Sequence, residues 1–545
     1  MQKALSAKKK SEKKSTEKEK NNSVKISFGV FFDGTLNSIG NINERKDFEK
    51  YSKSHESTKI TEKRDKFYKG TGSYGNEYTN VARFYKCYKL KDDVIPIYVE
   101  GIGTKPRMIG QKVDFSQPIV ENESHLTCSD DQIGSALGVG LFGVKKKVES
   151  ACQKILNRIK ILKDLKKGTK LELKFYVFGF SRGSAAARCF SACLLKRLGT
   201  TKVESTFNTK VIGLFNGTRI KKLLEKENEY KTSLKADWLT EFIKKRNISL
   251  SNIKVEFLGL YDTVSSYGAY FDDDVNELSL KISSNVNKVF QICAGDEYRK
   301  NFALTDISSA TGKGDYIIIP GAHSDIGGGY AQNMSEKIDS LLFTSGRKGY
   351  ALLISEGWFK RNEEVRTISN LYSIIPFNLM KDKITGKDTV FTGSKLEKYV
   401  LPSSWQAKID GILHQPSKEL NDFFNKLKAG KYDSYYRLEG KTIKSLSKEE
   451  YDLTREIETN EMFIRCWNSE EDSYMDEKNI AILEEKNKIN RENLDIVKQK
   501  KSKYDEDLLK QIRHDFLHLS AKSDEFLDIF VNKSDTNNNR TVIKG

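Results

Sequence analysis

Paired cysteines are missing from this chain. Its seven cysteines, Cys87, Cys128, Cys152, Cys189, Cys193, Cys293 and Cys466, form no C-x-x-C pair and are scattered through apolar or helical contexts. That spacing excludes a disulfide scaffold and reads as a fold with buried thiols in a reducing compartment. A long apolar run is missing too. Ile133 to Val144 (IGSALGVGLFGV) comes nearest, and it is too short and too rich in glycine for a membrane-spanning helix, which needs roughly 20 apolar residues. Residues 2–22, QKALSAKKKSEKKSTEKEKNN, hold no apolar core of the kind a secretory signal carries. The expectation is a protein made in the cytoplasm that leaves the cell, if it does, by a route other than general secretion. There is no internal repeat and no recognised nucleic-acid module, so no nucleic acid is expected as partner. Histidine is scarce, with six residues in 545.

What is present is a large, basic, α/β-patterned chain. Hydrophobic residues make up 37% and aromatics 10%, enough for a substantial core. The length suggests one large domain with insertions, or two domains. The net charge of +18 would attract polyanions such as an anionic membrane, although general lysine richness explains it equally well. Residues 1–22 read as a disordered lysine-rich tail. Apolar, β-branched runs predict strands over Val24–Phe32, Val94–Val99, Leu171–Phe178, Ile253–Leu260 and Tyr316–Pro320. Helical spacing covers Val144–Leu165 and Ser184–Leu198, while residues 40–75 read as polar loop. Alternation of strands and helices predicts an α/β fold, with a mostly parallel sheet covered by helices on both faces, over residues 23–345. Residues 346–545 change character. They read as an appended helical region, including Glu477–Lys503 and Asp505–Phe516, that acts as lid or membrane contact.

Gly179-Phe180-Ser181-Arg182-Gly183 has the form G-x-S-x-G, between a predicted strand and a helix that opens Ser184-Ala185-Ala186-Ala187. In that context the serine sits on a sharp turn, and the glycines remove side chains that would collide there. Ser181 is therefore the candidate nucleophile, with the backbone N–H of Arg182 as an oxyanion donor. A nucleophilic serine needs a base and an orienting acid. Of the histidines only His323 follows directly on a predicted core strand, in a glycine-rich loop. Asp262 ends the strand before it, and the order Ser, Asp, His is that of α/β-hydrolases. Asp325 is the alternative acid. Two other readings stay open. FFDGTLN is similar to the D-x-D-G-T phosphatase motif, but Phe31 occupies the nucleophile position; Asp33, Asp262 and Asp325 would then gather a divalent metal. A non-enzymatic, membrane-binding toxin is the other.

Eight motifs in order carry a resemblance to a known family. They are FFDGTLN (Phe31–Asn37), YTNVARFY (Tyr78–Tyr85), YVEGIGT (Tyr98–Thr104), GSALGVGLFGV (Gly134–Val144), VFGFSRGSAAAR (Val177–Arg188), FLGLYDTVSSYG (Phe257–Gly268), DEYRKNFAL (Asp296–Leu304) and GAHSDIGGGY (Gly321–Tyr330). Over residues 24–335 the chain resembles the type VI secretion phospholipase effectors of the first lipase class, within a wider α/β-hydrolase family. The resemblance implies a serine esterase acting on acyl esters of membrane phospholipids, with Ser181, Asp262 and His323 as triad and no cofactor or metal. It also implies that FDGT lies beside the serine, so that the backbone of Asp33 and Gly34 would complete the oxyanion hole. A secretion-spike protein and a cognate immunity protein are the implied protein partners. Because a lipase must shield its ester from water, something apolar should border Ser181. The stretches that would do so are Ile133–Val144 and Leu371–Leu379 (LYSIIPFNL), with packing of the helical region on the core as the equal alternative for the second.

Overall fold

A computed structural model describes residues 23–55, 59–104, 143–196, 240–265, 275–338, 353–430, 443–467, 477–501, 505–519 and 540–544, apart from positions 71, 163–164, 277, 284–285, 298, 300–301, 339–352 and 541. The lysine-rich stretch 1–22 and the run 133–142 lie outside the described residues. So do most of residues 205–250.

Six apolar segments build the central sheet: β1 (Ser23–Phe32), β2 (Val94–Val99), β3 (Lys170–Phe180), β4 (Ser249–Tyr261), β5 (Val289–Ala294) and β7 (Gly314–Ile319). A two-residue strand, β6 (Leu304–Thr305), lies outside that sheet. The strand order is β2-β1-β3-β4-β5-β7 and every neighbouring pair is parallel. Parallel strands covered on both faces need apolar side chains in both directions, and these have them. Phe31 and Phe178 project into one core, and Phe28, Val30, Phe32 and Val177 into the other. Helices α1 (Ile39–Ser54) and α2 (Asn80–Cys87) follow β1. Helices α3 (Val144–Lys160) and α4 (Arg182–Lys196) cover the second core. α4 lies close on the sheet because Ala185, Ala186 and Ala187 are fully buried with no bulk beyond Cβ.

Five of the six sheet strands follow the sequence reading closely. β5 was not foreseen. Residues 40–75 are a correction, because they form α1 and a second helix, Lys59–Gly70, rather than loop. The buried side of α1 carries polar residues: Asn41 donates to Ser73 Oγ at 2.8 Å, and Glu44 accepts from Tyr68 at 2.8 Å. Polar groups on the inner face hide the apolar periodicity that announces a helix.

The break expected at residue 345 is not a break in the core. Helices α5 (Ile374–Lys383) and α6 (Glu506–Phe516) place Ile374, Phe377, Met380, Leu509 and Ile512 in the same cluster as Phe31, Phe84 and Phe178. Phe377 is fully buried, with its ring stacked 4.3 Å from that of Phe84. Leu371–Leu379 therefore covers the sheet, which favours the core-packing alternative over a lipid-facing role for that stretch. It is buried on every side, its polar Ser373 and Asn378 included, because packing surrounds it. Beyond this core two long helices, Ile443–Trp467 and Glu477–Lys501, pair with each other, and Asn460 donates to Asn487 at 2.9 Å in their seam. Among the described residues no helix is long and apolar enough to cross a membrane.

The sheet register sets what comes next. Phe32 pairs with Val99 and Gly179, Phe180 with Tyr261, Tyr261 with Ile292, and Ala294 with Ile319. Residues 33, 181, 262 and the turn after 319 therefore emerge along one edge, the carboxyl ends of the strands, where such sheets place their sites.

Candidate active site

Ser181 alone forms the turn between β3 and α4. Its φ is +59°, left-handed for a residue with a side chain, at a cost on the order of 1–3 kcal/mol. Neighbours hold it there. Its N–H donates to the Tyr261 carbonyl at 3.0 Å, and its carbonyl accepts from Ser184 N–H at 2.9 Å. Both glycines are required by contact. A Cβ on Gly179 would lie 2.5 Å from the Gly183 carbonyl oxygen; one on Gly183 would lie 2.3 Å from that of Asp33. The turn is thus pressed against the end of β1, and the FDGT loop does lie beside the serine. Arg182 ties the two together, its Nε donating to Thr35 Oγ1 at 3.1 Å. Burial pushes the Arg182 guanidinium down to about 10.

Asp262 follows β4 with φ +44° and is completely buried. His323 opens the short helix α7 (His323–Gly327) after β7 and is 4% exposed. The Nδ1 atom of His323 and Oδ2 of Asp262 are 2.5 Å apart, and Oδ1 accepts from Ala294 N–H at 2.8 Å. The imidazole lies between Phe180, with ring centroids 4.7 Å apart, and Phe302, edge-on at 5.0 Å. Because Phe180 adjoins Ser181, that contact brings the histidine to the serine turn. With Nδ1 turned to the carboxylate, Nε2 is the nitrogen left for a proton from a hydroxyl. Among the described residues Ser181 Oγ and His323 share no hydrogen bond. Such contacts are loose without substrate and tighten in the reacting complex.

Burial opposes ionisation of Asp262, but the Arg540 guanidinium and the hydrogen bond with His323 outweigh it and hold the carboxyl well below its usual range. Burial also lowers the His323 pKa, more than Asp262 raises it, with Arg299 adding to the decrease. A neutral imidazole at ordinary pH is what a general base requires.

One expectation and two alternatives are decided by this geometry. The Asp33 N–H donates to Val99 at 2.9 Å and the Gly34 N–H to the Asp33 carboxylate at 2.8 Å. Both amides are committed, so they do not fit the oxyanion role expected of them. The Asp33 carboxylate instead accepts from Thr79 Oγ1 at 2.6 Å and Tyr98 Oη at 2.5 Å. Burial raises it to about 6 against those hydrogen bonds. Asp325 is not the acid partner of His323. Its carboxylate meets His518 Nδ1 at 2.7 Å. Asp33, Asp262 and Asp325 each have their own partners, so they do not converge on a shared metal position. Arg182 opens α4 directly after Ser181.

One residue in contact with the pair was not foreseen. Arg540 places its two terminal nitrogens 2.6 Å from Oδ1 and 2.8 Å from Oδ2 of Asp262. It is 278 residues away in sequence, in a short polar context, and no local signal points to it.

The sequence matches the family model for the Tle1-like phospholipase effectors of type VI secretion, catalytic domain, over residues 61–344. No curated protein matches it. Two solved structures align along nearly the whole chain. A Tle1 effector bound to the VgrG spike of the type 6 secretion system is 18% identical, covering 96% of this chain and 94% of that one, with TM-score 0.47. An uncharacterized protein from Pseudomonas aeruginosa is 15% identical, covering 95% of this chain and 68% of that one, with TM-score 0.36. With the family model spanning more than half of its residues, the chain belongs to the Tle1-like phospholipase effectors of type VI secretion and is a lipolytic hydrolase.

Proposed function

We propose that this hydrolase is a serine esterase that cleaves acyl ester bonds of membrane phospholipids by two-step acyl transfer. Ser181 attacks the ester carbonyl while Nε2 of His323 takes the hydroxyl proton. The Asp262 carboxylate orients the imidazole and holds the tautomer that leaves Nε2 free to take the proton. The tetrahedral oxyanion is met by the Arg182 N–H at the start of α4. His323 then protonates the leaving alcohol oxygen, and the lysophospholipid departs from an acyl-enzyme. Water, deprotonated by His323, releases the fatty acid and restores Ser181. The observation that carries this reading is the Asp262–His323 hydrogen bond at the same sheet edge as the strained Ser181 turn.

Within this reading residues 23–345 supply the catalytic elements and residues 346–545 supply much of one face of their core. Family membership leads us to infer delivery by a spike protein into a target cell or its periplasm, and neutralisation in the producing cell by a cognate immunity protein.

Fatty acid released from phospholipid vesicles is the test. Ser181→Ala, His323→Ala and Asp262→Ala, each with wild-type circular dichroism, should lose at least about a thousandfold of turnover, and a double variant little more than a single one. Near wild-type turnover in Ser181→Ala removes the serine mechanism.

A further inference from the structure

Asp262 is bound more completely than an orienting carboxylate requires. Oδ2 meets His323 Nδ1 and one terminal nitrogen of Arg540; Oδ1 meets the Ala294 N–H and the other. The guanidinium is spread further, its Nε donating to the Phe302 carbonyl at 2.8 Å and one terminal nitrogen to Ala294 O at 3.2 Å. Phe302 is the residue whose ring packs edge-on against His323. Arg540 is held in turn by a short strand, Val542–Ile543, which adds in parallel to β6. Asp306 N–H donates to Ile543 O at 2.9 Å, and Thr305 N–H to Thr263 O at 2.9 Å, so one strand links this segment to the residue beside Asp262.

We propose that Arg540 is a positioning residue of the active site: its fork fixes the Asp262 carboxylate against Nδ1 of His323 and neutralises it, so that the imidazole is oriented by a carboxylate whose charge is already compensated. The segment around residue 540 thereby completes a site whose other parts lie before residue 330. This rests on the triad reading above.

The physical argument has two parts. A planar guanidinium that bonds both oxygens removes the rotation of the carboxylate about its Cβ–Cγ bond, which a point charge would leave. It also cancels the field that would otherwise stabilise a proton on the imidazole. Other charged or titratable groups surround the pair. Cys293 comes from β5, while Glu297 and Arg299 come from the loop after it, with Glu297 accepting the His323 N–H at 3.2 Å and pairing with Arg299 at 2.8 Å. Asp296 pairs with Arg513 from α6, Asp325 of α7 with His518, and Ser181 adjoins on the turn. Glu297 and Arg299 offset each other, which leaves Arg540 as the cation that decides the charge at Asp262.

The experiment is the pH dependence of kcat/KM on a soluble short-chain ester for the full chain and for Arg540→Gln and Arg540→Lys. Without the cation, the Asp262–His323 pair takes up its first proton at higher pH, whichever member holds it. The acid limb of Arg540→Gln should therefore move up by about one pH unit or more. Arg540→Lys keeps the charge and loses the fork. Its limb should stay near wild type while its plateau falls about tenfold through a misaligned base. An unmoved limb in folded Arg540→Gln, with or without a uniform loss of rate, overturns the proposal and leaves Arg540 a packing residue. Should Arg540→Gln fail to fold, a wild-type plateau in Arg540→Lys overturns the positioning role. Ser181→Ala, run in parallel, separates the readings: if it is active the triad falls, and if it is inactive only the role of Arg540 is at issue.

Discussion

Gly183 joins the fold to the chemistry, and Gly183→Ala puts a number on the link. The added Cβ would sit 2.3 Å from the Asp33 carbonyl oxygen and 2.5 Å from that of Phe32, both backbone atoms at the end of a central strand. Neither is the tip of a side chain that can swing away. Reaching an ordinary 3.4 Å contact requires α4 and the end of β1 to part by about 1.1 Å. The start of α4 carries the Arg182 N–H and is continuous with Ser181, so that movement displaces nucleophile and oxyanion donor relative to His323, which is fixed from β7. A misplacement of about 1 Å costs on the order of a hundredfold in rate. Overpacking a close contact costs about 1–3 kcal/mol in stability. The assay is kcat on a soluble ester together with a chemical denaturation curve. We expect kcat to fall about a hundredfold with a destabilisation of about 2 kcal/mol. Wild-type kcat would refute the reasoning, because it would mean that the turn does not depend on its contact with β1.

Phe377→Ala empties a fully buried ring site between Phe84 and Tyr399 and should cost about 3–5 kcal/mol. Below its melting point it should affect hydrolysis of vesicles and of a soluble ester equally; a loss confined to vesicles would return Leu371–Leu379 to a membrane-facing role. Because His323 is held below its ordinary 6.5 by burial, it stays neutral as pH falls through that value. The acid limb of wild-type kcat/KM should therefore lie below pH 6.5, and a limb above it contradicts the electrostatic account.

The parts of this fold that the sequence discloses are those set by local patterns. β2 and the carboxyl-terminal parts of β1, β3 and β4 are continuous apolar runs because both of their faces are covered there, and each run stops where the chain leaves the sheet. Asp262 and Ser181 follow such stops, and His323 follows the last strand, so their common edge was readable from the strand ends alone. β5, VFQICA, was not. It is short, and its buried Gln291 interrupts the pattern by bonding Thr263 at 2.6 Å and the Thr305 carbonyl. α1 hides behind its buried Asn41 and Glu44. In FDGT the sequence marks the place but not the role, since the Asp33 carboxylate draws its partners from Thr79 and Tyr98, 46 and 65 residues away. Arg540 is the extreme case, because its contact with Asp262 is made by the fold alone. The apolar stretch at 371–379 shows the opposite error: a run buried on every side looks the same in sequence as one facing lipid.

The central claim is that Ser181 is the nucleophile, and covalent labelling tests it most directly. The full chain treated with a fluorophosphonate, and separately quenched during phospholipid turnover, should gain one adduct by intact mass, on the peptide that contains Ser181. The label should fail to appear in Ser181→Ala and should form more slowly in His323→Ala. Labelling at another residue, or vesicle hydrolysis by Ser181→Ala at the wild-type rate, would contradict the account.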